Sequence, residues 1–166
     1  CPQAQLRKFR CLFFYSIYLS MTGRFEEAIA GFKRAVKLDP ASPETHIYLG
    51  GFGYYLEGHF DEAIAQADKV LSAWPTLENA ELFAFVGWVY ALSGRQEDAR
   101  NILNRMLDSR AKRYVDPSLI GAPYAGLREK DKAFERLTKA YRKHAGQIVW
   151  IKVDPWIKNL RSDPRY

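Results

Sequence analysis

Three copies of one short pattern divide the chain at regular intervals. Each copy begins with Gly, continues through two acidic residues and ends with Ala, and the copies are Gly23–Ala28, Gly58–Ala63 and Gly94–Ala99. The three glycines lie 35 and 36 residues apart. A period of this length is typical of stacked helix pairs and not of one irregular globular core. The chain is therefore expected to be a repeat protein, and such proteins usually work by presenting a surface to a partner.

Each glycine is expected to end one helix and to form the turn into the next, because Gly adopts a positive φ at little cost. After the Ala of each copy, apolar residues return at helical spacing, as in Ala28, Phe32 and Ala35. The acidic residues then fall in the first turn of a helix, where negative charge complements the helix dipole. They are interpreted as structural and not as catalytic carboxylates: Glu26/Glu27, Asp61/Glu62 and Glu97/Asp98.

These signals predict an all-α chain, with about four helix pairs over residues 1–146 and a capping tail at 147–166. The expected pairs are approximately 9–42, 43–76, 80–112 and 116–146. In the second pair, one extra residue precedes Gly58, so the register of its first helix stays open by one place. In the fourth pair, Arg128 occupies the position of the turn glycine, and Pro123 lies inside the first helix, where a kink is expected. Asp116-Pro117 is a suitable start for that helix.

The first helices carry small residues where paired helices are expected to approach closely. These residues are Ser16, Gly51 and Gly87. Larger residues beside them, such as Tyr15 and Leu19 in the first helix, are expected to pack in the space between helices.

The pattern resembles the tetratricopeptide repeat family. The resemblance is carried by Phe83, Val86-Gly87 and Tyr90 in the third pair, and by Ala28, Phe32 and Pro40 in the first. It implies a right-handed superhelical array of antiparallel helix pairs, an α-solenoid, in which the first helices line a concave face.

The resemblance also implies a partner-binding groove on that face. Its candidate residues are Phe13, Ile17, Tyr48, Phe52, Tyr55 and Trp88. A groove of this composition suits an apolar or amphipathic protein segment, because aromatic residues provide large contacts with little flexibility to lose. Aromatic residues at helical spacing are also typical of a core, so both interpretations remain. The Lys and Asn arrangement with which some family members hold a peptide's terminal carboxylate is missing.

The end of the chain resembles the end of repeat regions in large bacterial regulatory proteins, including ones with winged-helix, adenylate-cyclase or protein-kinase domains. The resemblance rests on Val153–Trp156 and Leu160–Arg165. It implies an alternative function as the regulatory arm of a larger signalling or transcription protein, whose partner would be another domain of the same protein.

The charge distribution raises two further alternatives. Residues 105–166 carry fifteen Lys or Arg against seven Asp or Glu, whereas residues 41–104 carry three against nine. The basic part could attract nucleic acid through Arg105, Arg110, Lys112, Arg113 and the segment 128–143, although no base-reading motif accompanies it. Basic ends and an acidic middle could also favour self-association.

No catalytic residues, metal site or cofactor are predicted. His46, His59 and His144 lack metal-ligand spacing, and no phosphate-binding glycine motif occurs. Cys1 and Cys11 do not form a disulfide framework, which favours a reducing compartment. The apolar stretch from Cys11 to Met21 is too short to span a bilayer. A cytoplasmic, non-enzymatic protein is therefore expected.

Overall fold

All regular structure in the described part of the chain is helical. The computed structural model describes residues 2–76, 79–109 and 114–166, apart from the side chains of Pro2, Gln3, Gln5 and Phe52. The chain divides into two compact units, with the division between Val70 and Leu71. Within the units, helices pack in consecutive antiparallel pairs: α1 with α2, α5 with α6, and α7 with α8.

The first unit holds the helices that precede the division. They are α1 (Pro2–Met21), α2 (Phe25–Leu38), α3 (Pro43–Tyr48), a π-helical segment (Leu49–Tyr54) that continues α3, and α4 (Phe60–Ala73), which runs across the division. In this unit α2 packs against both α1 and the π-helical segment.

The second unit is built around α5, which packs against both α6 and α7. Its elements are α5 (Ala80–Leu92), α6 (Gln96–Ser109), α7 (Pro117–Gly126), α8 (Lys130–Arg142) and two 3₁₀ helices (Gly146–Trp150 and Pro155–Leu160). The residues from Leu82 to Ala91 are all buried. A helix that is apolar all round is suited to such a central position.

The turns between paired helices share one backbone geometry. Gly23, Gly58 and Gly94 have φ of 80°, 81° and 84°. After each, a backbone N–H bonds back across the turn, as from Arg24 to the Leu19 carbonyl at 2.9 Å. This is the left-handed helix end that the glycines predicted.

Arg128 forms the fourth turn in the same way. Its φ is 61°, and the Glu129 N–H donates to the Tyr124 carbonyl at 3.0 Å. The turn is therefore retained without Gly, although a residue with a Cβ is strained in this conformation.

The extra residue of the second pair is absorbed by the π-helical segment. The Tyr55 N–H donates to the Gly50 carbonyl at 2.9 Å, five residues back, and the left-handed turn at Gly58 is kept. A π turn holds one residue more than an α turn. The segment thus resolves the register that the sequence left open.

Small residues allow paired helices to approach closely, as expected at Ser16 and Gly87. A Cβ added to Gly31 would lie 2.1 Å from Ser16 Oγ, and one added to Gly87 would lie 3.2 Å from Ile102 Cγ2 of α6. Ser16 is fully buried and donates to the Leu12 carbonyl at 2.7 Å. Substitutions at these contacts would force the helices apart.

The start of α7 follows the expected signals. Asp116 accepts a hydrogen bond from the Ser118 N–H at 2.9 Å, and Pro117 occupies the first turn. Helix α7 continues through Pro123, whose ring packs beside Gly87 of α5.

The last twenty residues belong to the second unit, and part of this segment packs against α7. Trp156, Ile157 and Leu160 are buried, and the 3₁₀ helix that carries them contacts α7. The Asn159 side-chain amide donates to the Ala125 carbonyl at 2.7 Å. Part of the final segment is thus packed against α7.

An ion-pair network holds the end of this tail against α8. The Arg165 guanidinium donates to both carboxylate oxygens of Asp163, at 2.8 and 3.0 Å, and to Asp131 of α8 at 2.7 Å. The arginine keeps the pKa of Asp163 low, at about 2.

None of the helices in the described part of the chain combines the length and the apolar composition needed to cross a membrane.

We expect Arg128→Gly to raise the free energy of unfolding by about 1 kcal/mol, because Gly removes the left-handed strain of a residue with a Cβ. Gly94→Ala is the matched control and should lower stability by a similar amount. Chemical denaturation followed by circular dichroism measures both. A lower stability for the Arg128 variant would contradict the strain argument.

We expect the free energy of unfolding to fall as pH rises, because Asp154 in the tail loses its proton. Its carboxylate caps the 3₁₀ helix through the Trp156 N–H at 2.9 Å, but burial raises its pKa to about 6. The neutral form is thus favoured in the folded state, so stability falls as pH rises from about 4 through 6. Arg161, which donates to the Asp154 carbonyl, opposes this shift only in part.

Asp154→Asn should keep the cap and abolish this pH dependence, since Asn also caps helices. At pH 7 the variant should be more stable by up to about 3 kcal/mol. Denaturation midpoints of both proteins between pH 4 and 7 test this. Parallel pH profiles for the two proteins would show that Asp154 is not the responsible group.

Candidate protein-interaction surface

Two of the predicted groove residues lie together in the first unit. The rings of Phe13 and Tyr48 meet edge to face, with centroids 5.2 Å apart. Both lie 6.1 Å from the ring of Phe32, which is fully buried. We call Phe13, Phe32 and Tyr48 the aromatic cluster. Since Phe13 and Tyr48 are both partly exposed, the cluster reaches the surface at these two residues.

The cluster exists because α2 packs against both neighbouring elements. Phe32 points from the buried face of α2, Phe13 comes from α1, and Tyr48 ends α3. Edge-to-face packing of aromatic rings contributes beyond the area that it buries. Phe13 and Tyr48 are therefore both packed against the buried ring of Phe32.

Two other residues predicted for the groove, Ile17 and Tyr55, lie outside the aromatic cluster. Ile17 is one helical turn after Phe13 and is half-buried, so it extends the same side of α1. Tyr55 follows the π-helical segment, and its ring lies 5.4 Å from that of Phe60. Burial raises the pKa of the Tyr55 hydroxyl. The side chain of Phe52, also predicted for the groove, lies outside what the structure describes.

Trp88 lies in the core of the second unit. It is 2% exposed, and its ring centroid is 6.1 Å from that of Trp156 in the tail. A Cβ added to Gly126 would lie 3.2 Å from its carbonyl oxygen, so α7 passes close by. This burial agrees with the core interpretation of Trp88, and a partner could reach the ring only if the tail moved.

The outer face of α1 carries exposed residues that the sequence reasoning did not assign to a site. Phe14 is 62% exposed, Tyr18 57% and Met21 40%, and Cys11 is exposed on the same face. Tyr15, expected to pack between helices, is also mainly exposed. The apolar spacing of residues 11, 14, 18 and 21 was the available signal.

Several basic residues of the nucleic-acid alternative are engaged within the second unit. Arg105 donates to the Pro75 carbonyl at 2.6 Å and lies over the Phe83 ring, and Lys132 pairs with Glu129 at 2.8 Å. Arg110, Lys112 and Arg113 lie outside the described residues. The basic composition near the end of the chain thus partly serves internal contacts.

His46 is buried, and each of its ring nitrogens lies within hydrogen-bond distance of an oxygen atom. His46 is 1% exposed; its Nε2 lies 3.1 Å from the Pro40 carbonyl oxygen, and its Nδ1 lies 2.7 Å from Oε1 of Gln66 in α4. These contacts tie α3 to α4 and to the loop before α3. Within the described ranges, no group of His, Cys, Asp and Glu is arranged to hold a metal ion.

No protein-family model matches the chain, and no curated protein matches it.

Trp88→Glu should prevent cooperative folding of the second unit, because it removes a buried ring and places a carboxylate in the core. Trp150→Glu is the matched control, since Trp150 belongs to the same unit and is about half exposed. Thermal unfolding followed by circular dichroism should show a lost transition for the first variant and an unchanged one for the second. A normal transition in both would show that Trp88 is accessible.

Proposed function

We propose that this chain is a non-catalytic protein-interaction scaffold of the tetratricopeptide repeat type. The support is the recurrence of one helix-pair unit. Four turns share a left-handed residue and the same backbone hydrogen bond, including the turn in which Arg128 replaces Gly. Repeated units of this kind serve mainly to position surface residues for a partner.

The aromatic cluster with Ile17 is the proposed recognition surface. The observation that carries the proposal is that Phe13 and Tyr48, both partly exposed, pack on the buried ring of Phe32. Side chains held by such packing lose little entropy when they bind, so they can act as anchors for an apolar side chain of a partner.

The proposed ligand is an apolar or amphipathic segment, either from a separate protein or from another domain of a longer chain. An amphipathic helix would place apolar residues along α1, whose Phe13 and Ile17 are one turn apart. A helix of this kind needs no catalytic group or cofactor in the scaffold.

The test is selection from a displayed library of 20-residue peptides that carry apolar residues at helical spacing and random residues elsewhere. Peptides selected on the wild-type protein should lose at least about tenfold in affinity on Ile17→Glu, because a carboxylate would be buried in the contact. Tyr141→Glu is the control, since Tyr141 is an exposed aromatic residue on α8. Isothermal titration of each selected peptide measures the affinity.

Two outcomes would contradict the proposed recognition surface. If no peptide is enriched, or if Ile17→Glu leaves every affinity unchanged while the protein remains folded, the aromatic cluster is not the recognition surface.

A further inference from the structure

A second surface lies on the opposite side of α1 from the core. Its apolar residues are Cys11, Phe14, Tyr18 and Met21, which we call the outer stripe. They follow one another at intervals of three or four residues, so they lie on one face of the helix. Ser16 and Leu19, on the other face, are buried. Helix α1 is therefore apolar on both sides, which is unusual for a helix at a surface.

The aromatic residues of this face are held in place by ring contacts. Phe14 lies edge to face with Phe13, with centroids 5.5 Å apart, and Tyr18 stacks on Tyr15 at 6.3 Å. The outer stripe is thus supported by neighbouring rings on the same helix. A partner would meet side chains whose positions are largely set before binding.

The charge of α1 is confined to one end and has one sign. Arg7, Lys8 and Arg10 are exposed in the early turns, while α1 contains no Asp or Glu. The positive end of the helix dipole adds to this field near the start of the helix. A partner lying along α1 would therefore contact positive charge in the early turns of the helix and aromatic side chains farther along it.

We propose that the outer stripe binds an amphipathic helix with an acidic segment, its apolar face on Phe14 and Tyr18 and its carboxylates toward Arg7 and Arg10. Charge complementarity selects the acidic partner, and the spacing of the stripe selects a helix. This surface is separate from the aromatic cluster of the proposed function, and it can be tested independently.

The same features disfavour two other occupants. A second copy of α1 would supply no carboxylate to Arg7 and Arg10, because the helix contains neither Asp nor Glu. A bilayer surface would favour basic residues distributed beside the apolar face, whereas here they lie at one end.

The experiment compares two displayed libraries of helical peptides. Both carry apolar residues at helical spacing; one has only Asp or Glu at the polar positions of one half, and the other has only Lys or Arg there. The acidic library should be enriched at least about tenfold over the basic one on the wild-type protein, and binding should weaken with added salt.

Three variants locate the contact. Phe14→Ala/Tyr18→Ala should lose the enrichment while the melting temperature stays within a few degrees, because neither side chain belongs to the core. Arg7→Glu/Lys8→Glu/Arg10→Glu should reverse the library preference. The surface control Tyr141→Ala should bind as the wild type does, because Tyr141 lies on α8 and is exposed.

Other outcomes overturn the proposal. Equal enrichment of both libraries removes the acidic partner, and loss of binding on Ile17→Glu but not on Phe14→Ala/Tyr18→Ala assigns the peptides to the aromatic cluster instead. Concentration-dependent doubling of the molar mass in light scattering, abolished by Phe14→Ala/Tyr18→Ala, would show that a second copy occupies the stripe. Binding to anionic phosphatidylserine vesicles with the same dependence, and not to peptides, would show a membrane surface.

Discussion

The left-handed residue that ends each first helix is the constraint on which the helix pairs depend. It reverses the chain within a few residues, and its backbone hydrogen bonds satisfy carbonyls that a helix end would otherwise leave unpaired. The acidic residues that follow the glycine turns then lie in the first turn of the next helix. Arg128 shows that the geometry is required even where Gly is missing, since the chain accepts a strained residue there.

Close approach of the paired helices follows from small residues at their contacts. Gly31 of α2 lies against Ser16 of α1, and Gly87 of α5 lies against Ile102 of α6. The aromatic cluster of Phe13, Phe32 and Tyr48 is a consequence of the same packing, because α2 brings residues of two neighbouring elements together. The positions of these surface rings therefore depend on the packing of α2 against its neighbours.

Each unit buries some of its aromatic residues and exposes others. In the second unit, Trp88 and Trp156 pack together and are buried. In the first unit, α1 directs Phe13 toward the aromatic cluster and Phe14 toward solvent, so consecutive residues serve different faces of one helix. Exposed aromatic residues beside basic ones are the expected composition of a protein contact, whereas buried tryptophans stabilise the fold.

The sequence by itself determined that the described chain is helical, where its left-handed turns fall, and the pairing of α1 with α2, α5 with α6 and α7 with α8. These follow from interactions between residues a few positions apart, and even the extra residue before Gly58 was visible as an irregular interval. It did not determine which aromatic residues are accessible. Trp88 and Phe14 both fit a helical pattern, and only the tertiary structure decided that the first is buried and the second exposed. The physical reason is that accessibility depends on side chains from distant parts of the chain, such as Trp156 over Trp88, and a local pattern does not contain them.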